Sequence, residues 1–458
     1  MSSPQGESER LRIPQPLIKH RVPSGRGAME QPNVTHDGEA RLSPLFWLAV
    51  IATGIATGLF ADGLMYILAW AERMAFHYHG GSFQDAVART SNLRRFTSLV
   101  VAGLFGAGSW FLIRKYLGHE KSEIDDSLWR GDGELSVRRS TLTSIVSEIV
   151  IGLGASIGRE AAPKLMGGAS GSIISRYLKL TSAQKKLLVA CGGGAGFACV
   201  YNIPLGGAIF AAEVLYGSFA LPVVLPALAT SLIATAVAWL YLPNRPTYLD
   251  IPNFAFSGTL MTWAVLAGFV IGVITVGYIR VIGWLSILRP SGTRLLWIMP
   301  LTFALVGVIG FKYPEIFGNG KDIAHQAFLG TTALSLLAAL VVLKPFVTAL
   351  TLGSGAAGGL LTPVLATGAL LGALSGTLWL HIWPGAPIGA FALIGAAAML
   401  GAAMQAPLAG LVIILELIHG GFNIAIPMMA ATLIATVVVR TIDGYSIYSA
   451  RLPQLKKN

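Results

Sequence analysis

Charge is scarce in this sequence. Asp, Glu, Lys and Arg make up 12% of its 458 residues, about half of the ~25% usual for a soluble domain, and 54% of the residues are hydrophobic. That balance excludes an ordinary water-soluble globule and makes lipid the solvent of most of the chain. A formal net charge of +11 would elsewhere suggest nucleic acid, but the chain has no long hydrophilic basic face on which a phosphate backbone could lie, so no nucleic-acid partner is expected. Most of the charge falls outside the apolar runs, and basic connecting segments would orient a membrane chain by the positive-inside rule. Cysteine is nearly absent. Cys191 and Cys199 share one apolar, glycine-rich stretch at a spacing that is neither a metal motif nor a disulfide framework, so they read as packing residues, and no metal or cofactor is expected. The amino-terminal stretch also lacks an apolar core, so a signal peptide is not expected. Residues 1–43, rich in Pro, Ser, Gly and mixed charge, read as a disordered tail.

What the chain has in quantity is apolar runs and glycine. Eleven runs follow one another from Phe46 to about residue 439. The longer ones reach the ~20 residues that a bilayer requires, and the shorter ones, or those cut by Gly and Pro, read as broken or re-entrant helices. Such breaks are tolerated at membrane depth only where protein or a water-filled cavity satisfies the backbone. The 54 glycines exceed what close helix crossings need, so some must serve those breaks.

The two halves of the chain resemble each other. GGGAGFACVYNIPLGGAIFAAEVL (Gly192 to Leu215) aligns without gaps to GAAAMLGAAMQAPLAGLVIILELI (Gly395 to Ile418), each with a Pro (Pro204, Pro407) and a Glu nine residues later (Glu213, Glu416). Upstream, GASIGREAAPKLMGG (Gly154 to Gly168) faces SGAAGGLLTPVLATG (Ser354 to Gly368). Two homologous halves with helices interrupted at matching places point to a transporter site at the repeat interface. The expected division is a first membrane repeat over 44–245, a second over 255–452 and a short tail over 453–458.

The sharpest element is Gly158-Arg159-Glu160-Ala161-Ala162-Pro163, two charges inside a run of Ile, Leu, Gly and Ala. Charge at membrane depth costs several kcal/mol and is retained for a reason. A glycine break followed by a helix starting near Glu160 aims backbone N–H groups and the positive dipole end into the protein, an anion site that needs no side-chain cation. A carboxylate there can occupy the anion's place and leave when protonated, so Glu160 can be a gate, a proton carrier or both. The plainer reading is a Glu160–Arg159 pair that locks two helices. The matching break, Gly358-Gly359-Leu360-Leu361-Thr362-Pro363, carries no charge but would offer the N–H groups of Leu360 and Leu361 to the same ion. Tyr448 could donate to an anion, or simply anchor a helix end at the interface.

Taken together, these motifs resemble the CLC family of chloride channels and chloride/proton exchangers, over about Leu45 to Leu452. GREAAP is similar to the family's GREGP, GGLLTP to GxFxP, and YNIPLGGAIFAAEV to its NAPLAG stretch. The resemblance implies an all-α integral membrane fold, an inverted repeat of tilted, broken and re-entrant helices with one pore per subunit of a homodimer. It makes Glu160 the gate, with Arg159 as electrostatic support. It also implies that Ala161, Leu360, Leu361 and Tyr448 contact the anion. The family's inner serine loop falls on Gly118 to Ser122, where His119 takes the serine's place. The inner proton glutamate of exchangers falls on Val214, beside Glu213. An apolar side chain cannot relay a proton, so the expectation is a passive chloride channel, with a chloride/proton antiporter as the alternative. The chain stops ten residues after Tyr448, so nucleotide-binding domains are not expected, and a bacterial inner membrane is the expected location.

A rival from another class is an intramembrane hydrolase with Ser354, in Gly353-Ser354-Gly355, as nucleophile and His381 as base. Ser354→Ala would abolish such an enzyme and barely touch an anion pathway.

Overall fold

The computed structural model describes residues 42–118 and 123–452, so the expected tails lie almost wholly outside the described residues. Among those residues the fold is helical, with no named strand. The first half comprises α1 (Pro44–Phe76), α2 (Phe83–Arg89), α3 (Asn92–Leu117), α4 (Ile124–Trp129), α5 (Val137–Gly152), α6 (Ala161–Tyr177), α7 (Ser182–Tyr201), α8 (Pro204–Phe210) and α9 (Leu221–Ala238). The second half comprises α10 (Gly258–Ile287), α11 (Leu295–Ile309), α12 (Lys321–Leu329), α13 (Leu334–Gly353), α14 (Leu361–Trp379), α15 (Ile388–Met404), α16 (Pro407–Ile418) and α17 (Ala425–Ile442). Eight helical segments among the described residues are long and apolar enough to cross a bilayer. The chain is a multi-pass membrane protein.

The repeat appears as matched backbone devices. Asn202 and Gln405 end α7 and α15 in the left-handed region, at φ 55° and 58°. Each is followed by one non-helical residue (Ile203, Ala406) and the Pro that opens α8 or α16, where a missing N–H costs nothing. Glu416 accepts from the N–H groups of Leu205, at 3.0 Å, and Gly206. Glu213 accepts from Leu408 at 3.3 Å and Ala409 at 2.6 Å. Each half thus caps a helix of the other with the glutamate that the sequence repeat contains.

The innermost helices cross at glycine. A Cβ at Gly192 would strike the carbonyl of Gly167 between α6 and α7, and one at Gly395 that of Gly368 between α14 and α15. With no hydrophobic drive between helices in lipid, such backbone approach supplies the packing. All residues of α15 from Gly389 to Met404 are buried, as expected of a helix apolar on every side.

One cation is wholly internal. Lys344 of α13 is fully buried and donates to Ser156 Oγ at 2.9 Å, Ile316 O at 3.0 Å and Gly318 O at 2.6 Å, tying the segment before Gly158 to two other elements. Lys344→Met keeps the length and strips all three acceptors of their donor. At about 1–3 kcal/mol for each buried group left unpaired, detergent-solubilised protein should melt at a clearly lower temperature. An unchanged melting curve would show the ammonium to be dispensable.

Candidate functional site

The two helix breaks meet. The chain enters them through Gly154 and Gly355, at φ 108° and 99°, and leaves them as α6 and α14. Between them Gly158 N–H donates to Gly359 O at 2.8 Å and Gly359 N–H to Gly158 O at 2.7 Å, a two-residue antiparallel bridge. The bridge satisfies backbone that would otherwise be orphaned at membrane depth and sets the amino ends of α6 and α14 side by side.

Glu160 is the N-cap residue of α6, but its side chain reaches to the start of α14. Oε1 accepts from Leu361 N–H at 2.7 Å, and Oε2 accepts from the Tyr201 hydroxyl at 3.0 Å and the Thr362 hydroxyl at 3.3 Å. Glu160, Tyr201 and Thr362 are all buried. A buried carboxylate needs donors, and here it takes them at the positive end of a 19-residue helix, where a free anion would find the same partners. Glycine makes the seat possible. A Cβ on Gly158 or on Gly359 would overlap the carboxylate.

Below Glu160 lies a cavity of about 80 Å³, lined by Glu160, Ala161, Leu360, Leu361 and Tyr448 among others. It admits small ions and water but not an organic substrate, whose pockets run to ~300–1,000 Å³. The backbone breaks thus bring together five of the expected site residues. At the Tyr448 end the mouth is basic: Arg451 pairs with Glu123 at 3.0 Å and Arg289 approaches it at 3.7 Å, while Arg114 donates to Gly355 O at 2.7 Å. Burial alone would raise the Glu123 carboxyl, but Arg451, Arg289 and Lys164 outweigh it and hold Glu123 below the usual carboxylate range.

Other expectations fare differently. Arg159 forms no lock with Glu160: its guanidinium lies 5.4 Å from the centre of the Tyr201 ring and outside the cavity lining. Val214 is buried in the π-helical turn Ala211–Tyr216, and Glu213 is engaged as the cap of α16; neither lines the cavity. His119 lies outside the described residues. Ser354 is buried and donates to Thr351 O at 2.7 Å, whereas His381 is exposed beyond the far end of α14, a helix ~28 Å long. The two are not brought together as nucleophile and base.

The sequence reading missed Tyr201 and Thr362, the hydroxyl partners of Glu160, and Lys164, Asp125 and Glu148. Lys164 stood in plain sight four residues after Glu160, one helical turn on. Glu148 is fully buried, and neither carboxylate oxygen has a hydrogen-bond partner among the described residues. For Tyr201 no local signal existed, because an aromatic residue at a helix end is ordinary.

Residues 99–440 match the family described as voltage-gated chloride channels. The chain belongs to that family, the CLC proteins. It is 29% identical to the voltage-gated ClC-type chloride channel ClcB of Citrobacter koseri over 426 residues, 88% of this chain and 98% of that one. It is 30% identical to the putative chloride channel protein ClcB-like of Ralstonia nicotianae over 338 residues, 70% of this chain and 76% of that one. In three dimensions it is similar to a slow cyanobacterial Cl⁻/H⁺ antiporter, with a TM-score of 0.77 at 21% identity, covering 89% of this chain and 97% of the other. The chain is thus a CLC-type anion-transport protein with the inverted-repeat CLC fold.

Proposed function

We propose that this protein carries chloride by a passive, uncoupled pathway in which Glu160 is the gate. The observation that carries the reading is the Glu160 carboxylate seated on Leu361 N–H at 2.7 Å, at the head of the cavity and in the place an anion would take. Protonation removes the charge that the α14 terminus holds; the side chain leaves and an anion enters. Ala161, Leu360, Leu361 and Tyr448 line its way, and Arg159, stacked on Tyr201, adds positive potential behind the seat. Chloride is the ion named for the ClcB relatives.

Two features support an uncoupled mode. Val214 has nothing to protonate, and the carboxylate of Glu213 is committed to the N–H groups of Leu408 and Ala409. Basic residues at the Tyr448 mouth favour a cytoplasmic orientation for that side by the positive-inside rule, and the bacterial relatives support a bacterial inner membrane. The mutually capped α8 and α16 leave Leu205 50% and Leu408 47% exposed, part of an apolar face suited to a second copy in a homodimer. A second reading, chloride/proton antiport, is favoured by Glu148, a buried acid within electrostatic reach of Glu160 and Arg159.

Liposomes loaded with chloride, with efflux and external pH recorded together, test both readings. Efflux without proton movement is the expected result. Uphill proton uptake that disappears in Glu148→Gln while chloride still moves would establish exchange with Glu148 as proton carrier. Absence of any anion flux would overturn the proposal altogether.

A further inference from the structure

A charged pair stands inside the cavity that neither the motifs nor the gate accounts for. Lys164 lies one turn after Glu160 on α6, its N–H bonded to Glu160 O at 3.1 Å, so the two side chains share a face of the helix. Its ammonium is 3.1 Å from Asp125 Oδ2 and 3.4 Å from Oδ1. It sits 4.7 Å from the centre of the Tyr448 ring, with Phe210 at 5.9 Å. The Lys164 side chain is 13% exposed and that of Asp125 3%, and both residues line the cavity with Tyr448 and Leu361. An ammonium has three donors. Among the described residues both of its hydrogen bonds go to Asp125, which leaves a donor toward the ring and the open volume.

We propose that Lys164 is a direct ligand of the transported anion at the Tyr448 end of the cavity, and that Asp125 positions the ammonium and competes with the anion for it. The inference rests on the cavity being the anion path. The arrangement repeats the one above it: Glu160 occupies backbone donors at one end, and Asp125 occupies a side-chain cation at the other. Each internal carboxylate stands where a small anion would bind. The ammonium also implies a preference. It is a compact, strongly hydrated point charge, whereas a guanidinium matches planar oxyanions through paired N–H groups. A lysine in this place therefore favours a small spherical halide over nitrate.

The test is chloride and nitrate binding by calorimetry to detergent-purified protein, together with liposome flux of both ions. Asp125→Asn removes the competitor and should tighten chloride binding several-fold. A pair that served only as a strut would give the opposite sign or no change. The double variant Lys164→Met with Asp125→Asn removes both charges at once, so no buried ion is stranded, and it should weaken chloride binding about tenfold or more. Lys164→Arg should retain binding and shift preference toward nitrate. Unchanged chloride affinity in the double variant, or in Asp125→Asn, would overturn the assignment of Lys164. Wild-type protein that neither binds nor passes chloride would instead overturn the reading of the cavity on which the assignment rests.

Discussion

Glu160→Gln should leave reconstituted protein passing chloride at neutral pH much faster than the wild type. Glutamine has nearly the shape of glutamate, so the fold and the seat remain. What changes is the charge. The carboxylate is held by Leu361 N–H at 2.7 Å, by two hydroxyls and by the positive end of α14. Hydrogen bonds to a charged acceptor are worth ~1.5–3 kcal/mol against about 1 for a neutral one, and a helix terminus adds up to ~2 kcal/mol in partly buried geometry. Loss of the charge-dependent part, about 2–3 kcal/mol, shifts occupancy of the seat roughly 30- to 150-fold toward the anion. Chloride efflux from liposomes at neutral pH, variant against wild type, measures it. A variant that stays as closed as the wild type at neutral pH would show the gate to lie elsewhere.

Gly359→Ala should open the pathway by a different physical route. A Cβ at position 359 falls within overlap distance of Glu160 Oε1 and Cδ, while the backbone there stays outside the positive-φ region, so alanine brings no conformational penalty of its own. The methyl group evicts the carboxylate and leaves the bridge to Gly158 in place. Flux at neutral pH should rise toward that of Glu160→Gln, and the two changes combined should add nothing, because both act on one occupancy. Full additivity of the two, or a Gly359→Ala protein gated like the wild type, would contradict the seat described here.

Much of the architecture was readable from residue order. Lipid as solvent followed from the missing charge. The repeat followed from Pro204 and Pro407 with their trailing glutamates, and the helix starts at Ala161 and Leu361 followed from glycine runs ahead of small apolar residues. Those signals are local, since a break, a cap or an apolar span is specified by a few neighbours along the chain. The two glutamates of the repeat were legible as a pair but not as reciprocal caps, for that needs α8 and α16 to lie against each other.

The sequence by itself determined that this is a membrane chain of two related halves with a charged break in the first. Only the tertiary structure decided that the Glu160 carboxylate crosses to α14, that Tyr201 and Thr362 hold it, and that Lys164 and Asp125 meet beneath it. The physical reason is distance along the chain. Glu160 and Leu361 are 201 residues apart and Lys164 and Asp125 are 39 apart. No pattern of neighbours encodes which orphaned backbone group a buried charge will find once the helices are packed.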